Sequence, residues 1–452
     1  MVSASIQFVG DPFVDAGVAV LEYRIGKACS EFTPSDLSKQ ADELEEIYSN
    51  RSWTGYLTVH FPNSCWCNAN ISADKKKQQR DVLLRSFEAA VLPGRICVYC
   101  GKPAQHMADR STIPLLTGAV TMTAGSGGEP GLAVCSACQY ATQFYPLATL
   151  KVNGKPLFWW TPQHDWMFSL TSDFAKRVVK IIEAAPDQVP SLKWPSTRLL
   201  ETAEAVFRQS QASEEQLPLV DLVGCHATNF NSDPDYEEIR IRRGVLEFLR
   251  GAQQYSAYRV IRDSAWEKII PKRGKAATEE EKPDRGRRNF LYEELGNQLR
   301  SGADRGINVL RRFFTPQAGR EPGVFELACL FSRKVLDMTE GQVEAIKTLA
   351  DQIAESKKAE KYLGRIFKST KFKDYLRTLT EISDRMKRAD EAPIATETIL
   401  RAFDLTNEDD AWIRDGSLVR ELILLRLIEK IPRERLQSLP EPPLEDIEES
   451  ED

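Results

Sequence analysis

The chain has 452 residues, 42% of them apolar and 28% charged, with a formal net charge of -6. That length predicts two or three domains, each with its own core. No apolar run approaches the roughly 20 residues of a membrane-spanning helix and no basic-then-apolar leader opens the chain, so membrane insertion and secretion are not expected and a reducing cytoplasm is.

The charge is uneven. Pro440–Asp452 (PEPPLEDIEESED) holds seven carboxylates and no base, a composition that predicts a disordered acidic tail over 441–452. Two basic zones stand against it: Glu237–Phe314 has 18 Lys/Arg to 12 Asp/Glu, and Glu355–Arg388 has 11 to 5. Either is equally well read as a solvated helix face.

In chain order, Thr33-Pro34-Ser35-Asp36 joins an N-cap threonine, proline at N1 and a carboxylate at N3, which predicts a helix through DLSKQADELEEIY ending near Asn50. Trp53–Phe61 (WTGYLTVHF) is aromatic and β-branched with Pro62 closing it, and reads as a strand. A second helix is expected over about Lys76–Leu92. The segment TGAVTMTAGSGGEPG reads as loop or short hairpin. Helices dominate from Ser172, interrupted by a strand and loop around VDLVGCHATNFNSDPD. Lys272–Arg288 (KRGKAATEEEKPDRGRR) is nearly free of apolar residues and reads as a mobile basic linker.

After Gly323 the pattern is wholly helical. Thr339 with Gln342 forms a capping box and Thr406 with Asp409 a looser one. Leu418–Ile431 (LVRELILLRLIEKI) is apolar around most of its circumference and should be the buried helix of a bundle. The expected fold is therefore an α+β body over 1–330 with a four-cysteine insertion at 97–138, then an all-α helical bundle over 331–440.

Nine cysteines in a reducing compartment are free or metal-bound. Four of them, Cys97, Cys100, Cys135 and Cys138, form two Cys-x-x-Cys pairs separated by 34 residues. A two-residue spacer lets a tight turn place both sulfurs on one metal, and two pairs close a tetrahedral shell, so Zn²⁺ is the expected cofactor. A closed shell leaves no position for water, so the metal would be structural. A thioredoxin-like dithiol would need only one pair. Gly101 suits the knuckle turn, and Lys102 is placed to offset thiolate charge. Cys65 and Cys67 have the wrong spacing, and Cys29, Cys225 and Cys329 read as small buried residues.

The sequence has no G-x-x-x-x-G-K-[ST], G-x-G-x-x-G or G-x-S-x-G. Among four histidines, only His164-Asp165 resembles a metal dipeptide, and it lacks companions. No catalytic residue is assigned.

The stretch FVGDPFVDAGVAVLE (Phe8–Glu22), the segment FPNSCWCNANIS and the pairing of CVYCGKP with CSAC resemble the CXXC-CXXC large subunit of type I-B CRISPR surveillance complexes (Cascade), including transposon-associated versions. The resemblance covers roughly the first third of the chain. It implies a non-enzymatic subunit at the 5′ end of the guide RNA that recognises a protospacer-adjacent motif in double-stranded DNA and stabilises the R-loop. It implies as partners the CRISPR RNA, target DNA, the Cascade backbone, guide-capping and small subunits, and a downstream helicase-nuclease or transposition proteins. It further implies that the C-terminal bundle is similar to the Cascade small subunit and that a separate copy can be translated from Met338.

Such a protein needs amides for base edges and Lys/Arg for phosphates. The candidates are Asn63, Asn68 and Asn70 beside Lys75, Lys76 and Lys77, with Asn229, Asn231, Arg285, Arg287 and Arg288. Asparagine is equally ordinary turn chemistry. Two other classes fit the sequence: a zinc-containing nucleic-acid processing enzyme with an unrecognised active site, and a zinc-stabilised protein-interaction scaffold.

Overall fold

The computed structural model describes residues 6–114, 131–184, 186–212, 217–229, 235–267, 287–297, 304–369, 371–403 and 412–436. The chain divides into two units, one of residues 1–246 with 267–297, the other of residues 247–266 with 298–452. The described residues are mainly helical with two small antiparallel sheets.

The first unit is built on α1 (Pro12–Ile25), which Asp11 caps by accepting from the amides of Phe13 and Val14, and which Gly26 ends at φ 74°. Every residue from Phe13 to Glu22 is buried, so its two carboxylates need partners. Asp15 accepts from Val9 N, Gly10 N and Trp160 Nε1 at 2.7, 3.1 and 3.2 Å. Glu22 accepts from Cys29 N at 2.8 Å. The helix α2 (Pro34–Ser49) starts at the expected Thr33 N-cap, and Thr33 and Asp36 go further, each bonding the other's backbone as a capping box.

The expected strand at Trp53–Phe61 is instead α3 (Arg51–Leu57) followed by turns. Asn50 caps it through Ser52 N, and Trp53, Tyr56 and Leu57 fall on one helical face that is buried. Trp53 stacks on Tyr48 at 6.0 Å. Tertiary burial of that face overrides a strand-like composition. The helix expected over Lys76–Leu92 is shorter and earlier, α4 (Ala73–Leu84). It ends at Arg85, whose guanidinium is held by Asp42, Glu45 and Asp81, and Leu92 is by then pairing its amide with Ala104 O.

Next come β1 (His106–Ala108), β2 (Leu132–Val134) and α5 (Ser136–Phe144), then β3 (Leu150–Val152) and β4 (Lys155–Trp160). The helices α6 (His164–Ala184) and α7 (Pro195–Ala212) precede β5 (Leu222–Thr228) and β6 (Asp235–Ile241). The larger sheet has the order β3-β4-β5-β6, with Phe158 opposite Cys225 and Cys225 opposite Glu238. α7 lies against it so closely that a Cβ on Gly224 would meet Leu199 Cδ1 at 2.3 Å. α8 (Arg243–Ala252) and α9 (Ser256–Ser264) follow, and α10 (Phe290–Asn297) returns to the first unit. There the buried Glu293 accepts from Thr197 N and Oγ1, both at 2.7 Å, closing the start of α7.

The second unit contains α11 (Asp304–Val309), α12 (Val324–Val335), α13 (Glu340–Glu355), α14 (Ala359–Lys368), α15 (Phe372–Arg388), α16 (Thr396–Ala402), α17 (Trp412–Lys430) and α18 (Arg433–Leu436). It takes in residues 247–266 and 298–330 as well as the helical region expected from 331. Thr339 and Gln342 make the expected capping box on α13. Leu418–Ile431 is the central helix, and its buried cations are satisfied. Arg420 donates to Ile366 O and Phe367 O at the end of α14, while Arg426 grips Asp351 through two bonds of 2.7 and 3.1 Å. The Thr406/Asp409 cap, the segment TGAVTMTAGSGGEP, most of the basic linker (272–286) and the acidic tail lie outside the described residues.

Candidate metal centre

The first Cys pair sits on a hairpin turn. Ile96 bridges Pro103, Cys97 N donates to Lys102 O at 2.7 Å, and Gly101 N donates to Cys97 O at 2.9 Å. Gly101 adopts φ 70°, a conformation that favours glycine and that lets the turn close beneath Cys97 and Cys100. The second pair is delivered by β2 into α5: Cys135 is the N-cap, its Sγ accepting from Cys138 N at 3.4 Å. The halves are joined by the β1–β2 ladder and by Val98 N to Ala133 O at 3.0 Å.

All four sulfurs lie within 4.8 Å of one another, and Cys100 Sγ stands 3.6 Å from Cys135 Sγ. A tetrahedral zinc with bonds of about 2.3 Å has sulfur-to-sulfur edges of about 3.8 Å, so the cluster fits that ion. Hydrogen bonds with Cys135 and Cys138 push the Cys97 thiol far down, whereas those with Cys135 and Cys97 push Cys138 far up. The N-terminus of α5 adds a favourable dipole. The second pair does start a helix after a strand, as a redox dithiol would, but the first pair completes a closed four-sulfur group.

Among the described residues, no other group of three or more Cys, His, Asp or Glu side chains converges in this way. Burial holds the thiols of Cys65, Cys225 and Cys329 up at about 12, and Cys29 at about 11. Cys65, Cys225 and Cys329 behave as buried apolar groups, whereas Cys29, expected to be buried, is only half-buried.

The histidines are each committed. His106 lies 2.9 Å from both Ser86 Oγ and Ser136 Oγ, and His226 Nε2 is 2.9 Å from Val152 O. His164 opens α6, where its Nε2 meets the buried Glu22 at 2.8 Å. Burial opposes its charge, but the Glu22 bond outweighs it and raises its pKa. His60 is wholly buried, Nδ1 on Tyr145 Oη at 2.7 Å, and burial lowers its pKa to about 3.

These two histidines have opposite linkage. The unfolded chain takes up a proton at His60 near 6.5, so its stabilisation is full above that pH and drains away as the pH falls towards 3. The His164 share is full below 6.5 and is lost as the pH rises through its raised pKa. Urea midpoints at pH 7 and pH 4.5 are expected to drop less in His60→Gln than in the parent, and more in His164→Gln. Parallel curves for all three would refute the assignment.

The nucleic-acid candidates separate into two groups. Asn63 and Asn70 are exposed, on a turn anchored by buried Ser64, Cys65 and Trp66. Asn63 has φ 62°, and Asn68 Oδ1 accepts from Asn70 N. Lys75, Lys76 and Lys77 lie on the start of α4 rather than in the loop, with Lys75 and Lys77 exposed and Lys76 half-buried. None of the three has an ion pair among the described residues. Cations there oppose the helix dipole, so folding does not explain them.

The other group is corrected. Asn229 is buried at 1% exposure, its backbone N–H donating to Val59 O, and its side chain cannot reach a base. Arg287 donates to Glu267 O at 3.2 and 3.0 Å. Arg288 is held 4.5 Å from the Trp194 ring and 4.9 Å from Phe290. Both are fixed to the first unit and do not form a free clamp. Asn231 and Arg285 lie outside the described residues.

No protein-family model, no curated protein and no solved structure matches the chain. Among the described residues no helix is long and apolar enough to cross a membrane.

Proposed function

We propose that this chain is the large subunit of an RNA-guided DNA surveillance complex of the CXXC-CXXC type, held together by a structural zinc. The observation that carries the reading is the segment 63–77: two exposed asparagines on a turn with a buried anchor, followed at once by three unpaired lysines. It is a short amide-bearing reader beside a phosphate anchor, the combination that adjacent-motif recognition requires. The four-sulfur group supports it by supplying structure without an open coordination position. Pairing with guide RNA reads the sequence, and this chain contributes backbone and motif contacts.

Replacing Lys75, Lys76 and Lys77 together with alanine is expected to weaken duplex binding on every sequence. It should flatten the slope of log affinity against log salt by as much as about 2.7, that is about 0.9 for each phosphate no longer neutralised. Asn63→Ala should instead reduce discrimination among adjacent motifs at little change in slope. Wild-type binding and salt dependence in both variants would remove the 63–77 segment from the interface. Co-purification with the neighbouring gene products tests the wider reading, guide RNA being expected in the complex.

The second unit carries exposed cations of the kind that a displaced single strand would need. Lys361, Lys368, Lys371, Lys373, Lys387 and Arg388 are exposed and have no ion pair among the described residues. Met338 stands just before the α13 cap, its amide on Ser332 O, so a product begun there would open on a formed helix start. Mass spectrometry of the complex, with Met338 recoded as control, decides whether it is made. A protein-interaction scaffold is the second reading, favoured by Ile96 and Val98, which flank Cys97 with 67% and 51% of their surface exposed. Chelator-sensitive protein binding with no salt-dependent DNA binding would select it.

A further inference from the structure

The four sulfurs are unequally covered. Cys97, Cys135 and Cys138 are buried, but Cys100 is only half-buried. It borders a cavity of about 10 Å³ lined by Gln7, Val9, Lys102, Cys135 and Cys138 among others, room for about one molecule the size of water. At 3.6 Å, the sulfur of Cys100 faces that of Cys135 across the two halves of the site. Lys102 Nζ donates to Gln7 Oε1 at 3.0 Å, so the knuckle also holds the segment that leads to the Asp11 cap of α1.

We propose that the four-cysteine centre is a peroxide-responsive switch in which Cys100 and Cys135 join as a disulfide and the metal is released. This rests on the metal reading given above. The step balances with hydrogen peroxide as oxidant. The Cys100 thiolate attacks one peroxide oxygen, the O–O bond breaks, hydroxide leaves and a sulfenic acid remains. The Cys135 thiolate then attacks that sulfur, the S–O bond breaks and a second hydroxide leaves. Two electrons pass from the sulfurs to the peroxide, and the hydroxides take protons from the buffer to become water. Closing the disulfide requires the sulfurs to move from 3.6 Å to about 2.05 Å. Cys97 and Cys138 alone are two ligands of four, too few to retain the ion. A thiol reductant reverses the bond by exchange.

The cross-bridge differs from oxidation within either pair. It ties the knuckle to the N-cap of α5 and leaves one sulfur of each pair free, so zinc can be rebound once the bridge is reduced.

The test uses the full chain, assayed first for zinc. Sub-stoichiometric hydrogen peroxide is expected to release one zinc per peroxide consumed, seen with a colorimetric indicator, and peptide mapping without reductant should show Cys100 linked to Cys135. Dithiothreitol with zinc should restore metal content. Because Cys100→Ser removes a ligand and can fail to fold, the informative variant is Cys100→His, which keeps a four-ligand shell that zinc accepts but has no sulfur to form the bridge. It should retain zinc and slow release severalfold. Zinc bound but retained through several equivalents of peroxide overturns the switch and leaves the metal reading standing. A bridge between Cys97 and Cys100, or between Cys135 and Cys138, overturns the proposed pairing. Protein that is metal-free as isolated overturns the metal reading, and the switch with it.

Discussion

Purified chain is expected to carry one zinc, and Cys97→Ser or Cys135→Ser to lower the melting temperature of the first unit by at least about 10 °C. Structural zinc supplies on the order of 10 kcal/mol in minimal zinc modules, against a total stability of about 5–15 kcal/mol for a domain. Both cysteines are buried, at 1% and 5% exposure, so serine also leaves a hydroxyl in an apolar site. Cys135 further loses the sulfur that caps α5. Elemental analysis with thermal melts, repeated after chelation, checks this. Metal-free wild-type protein with an unchanged melt after chelation would end the metal reading.

The second large effect is expected at Gly17 in the middle of α1. A Cβ there would lie 1.9 Å from Ala141 O and 2.6 Å from Ala141 C, backbone atoms of α5 that cannot swing aside. The helices must part, and both are buried in the core around Tyr140 and Phe144. Gly17→Ala should therefore cost about 3 kcal/mol or more, at or beyond the upper end of ordinary overpacking. The control is Gly55→Ala in α3. Nothing lies within 4 Å of its added Cβ, and the gain in helix propensity should stabilise by roughly 0.5–1 kcal/mol. Urea unfolding midpoints measure both. A Gly17→Ala protein as stable as the parent would mean that α1 and α5 do not cross as described.

What the sequence disclosed was whatever is encoded locally. The N-cap at Thr33 and the capping box at Thr339 need only four adjacent residues, and each is formed. The cysteine cluster was legible because its spacing fixes the two turns regardless of what lies between them. α3 was not, because WTGYLTVHF has a strand's composition, while the Asn50 cap and the face shared by Trp53, Tyr56 and Leu57 act through burial. The β3–β4 hairpin does carry a local signal: Asn153-Gly154, at φ 50° and 81°, is the pair a tight two-residue turn favours. Asn229 was illegible for the opposite reason. Its backbone N–H bonds Val59 O, far away in the chain, and no local pattern reports that contact.

The closure at Glu267 reaches beyond stability. Glu267 N donates to Arg288 O at 2.8 Å, its carboxylate takes Arg288 N, and its carbonyl takes the Arg287 guanidinium. Residues 267 and 287–288, all of the first unit, are thus pinned side by side. Lengthening what lies between costs only about 0.6 kcal/mol per doubling, because the ends are already together. The stretch between these pinned ends is consequently the place where an insertion is expected to cost the core least. It is also where a fluorescent domain or an affinity handle can be spliced so that the chain can be followed in cells.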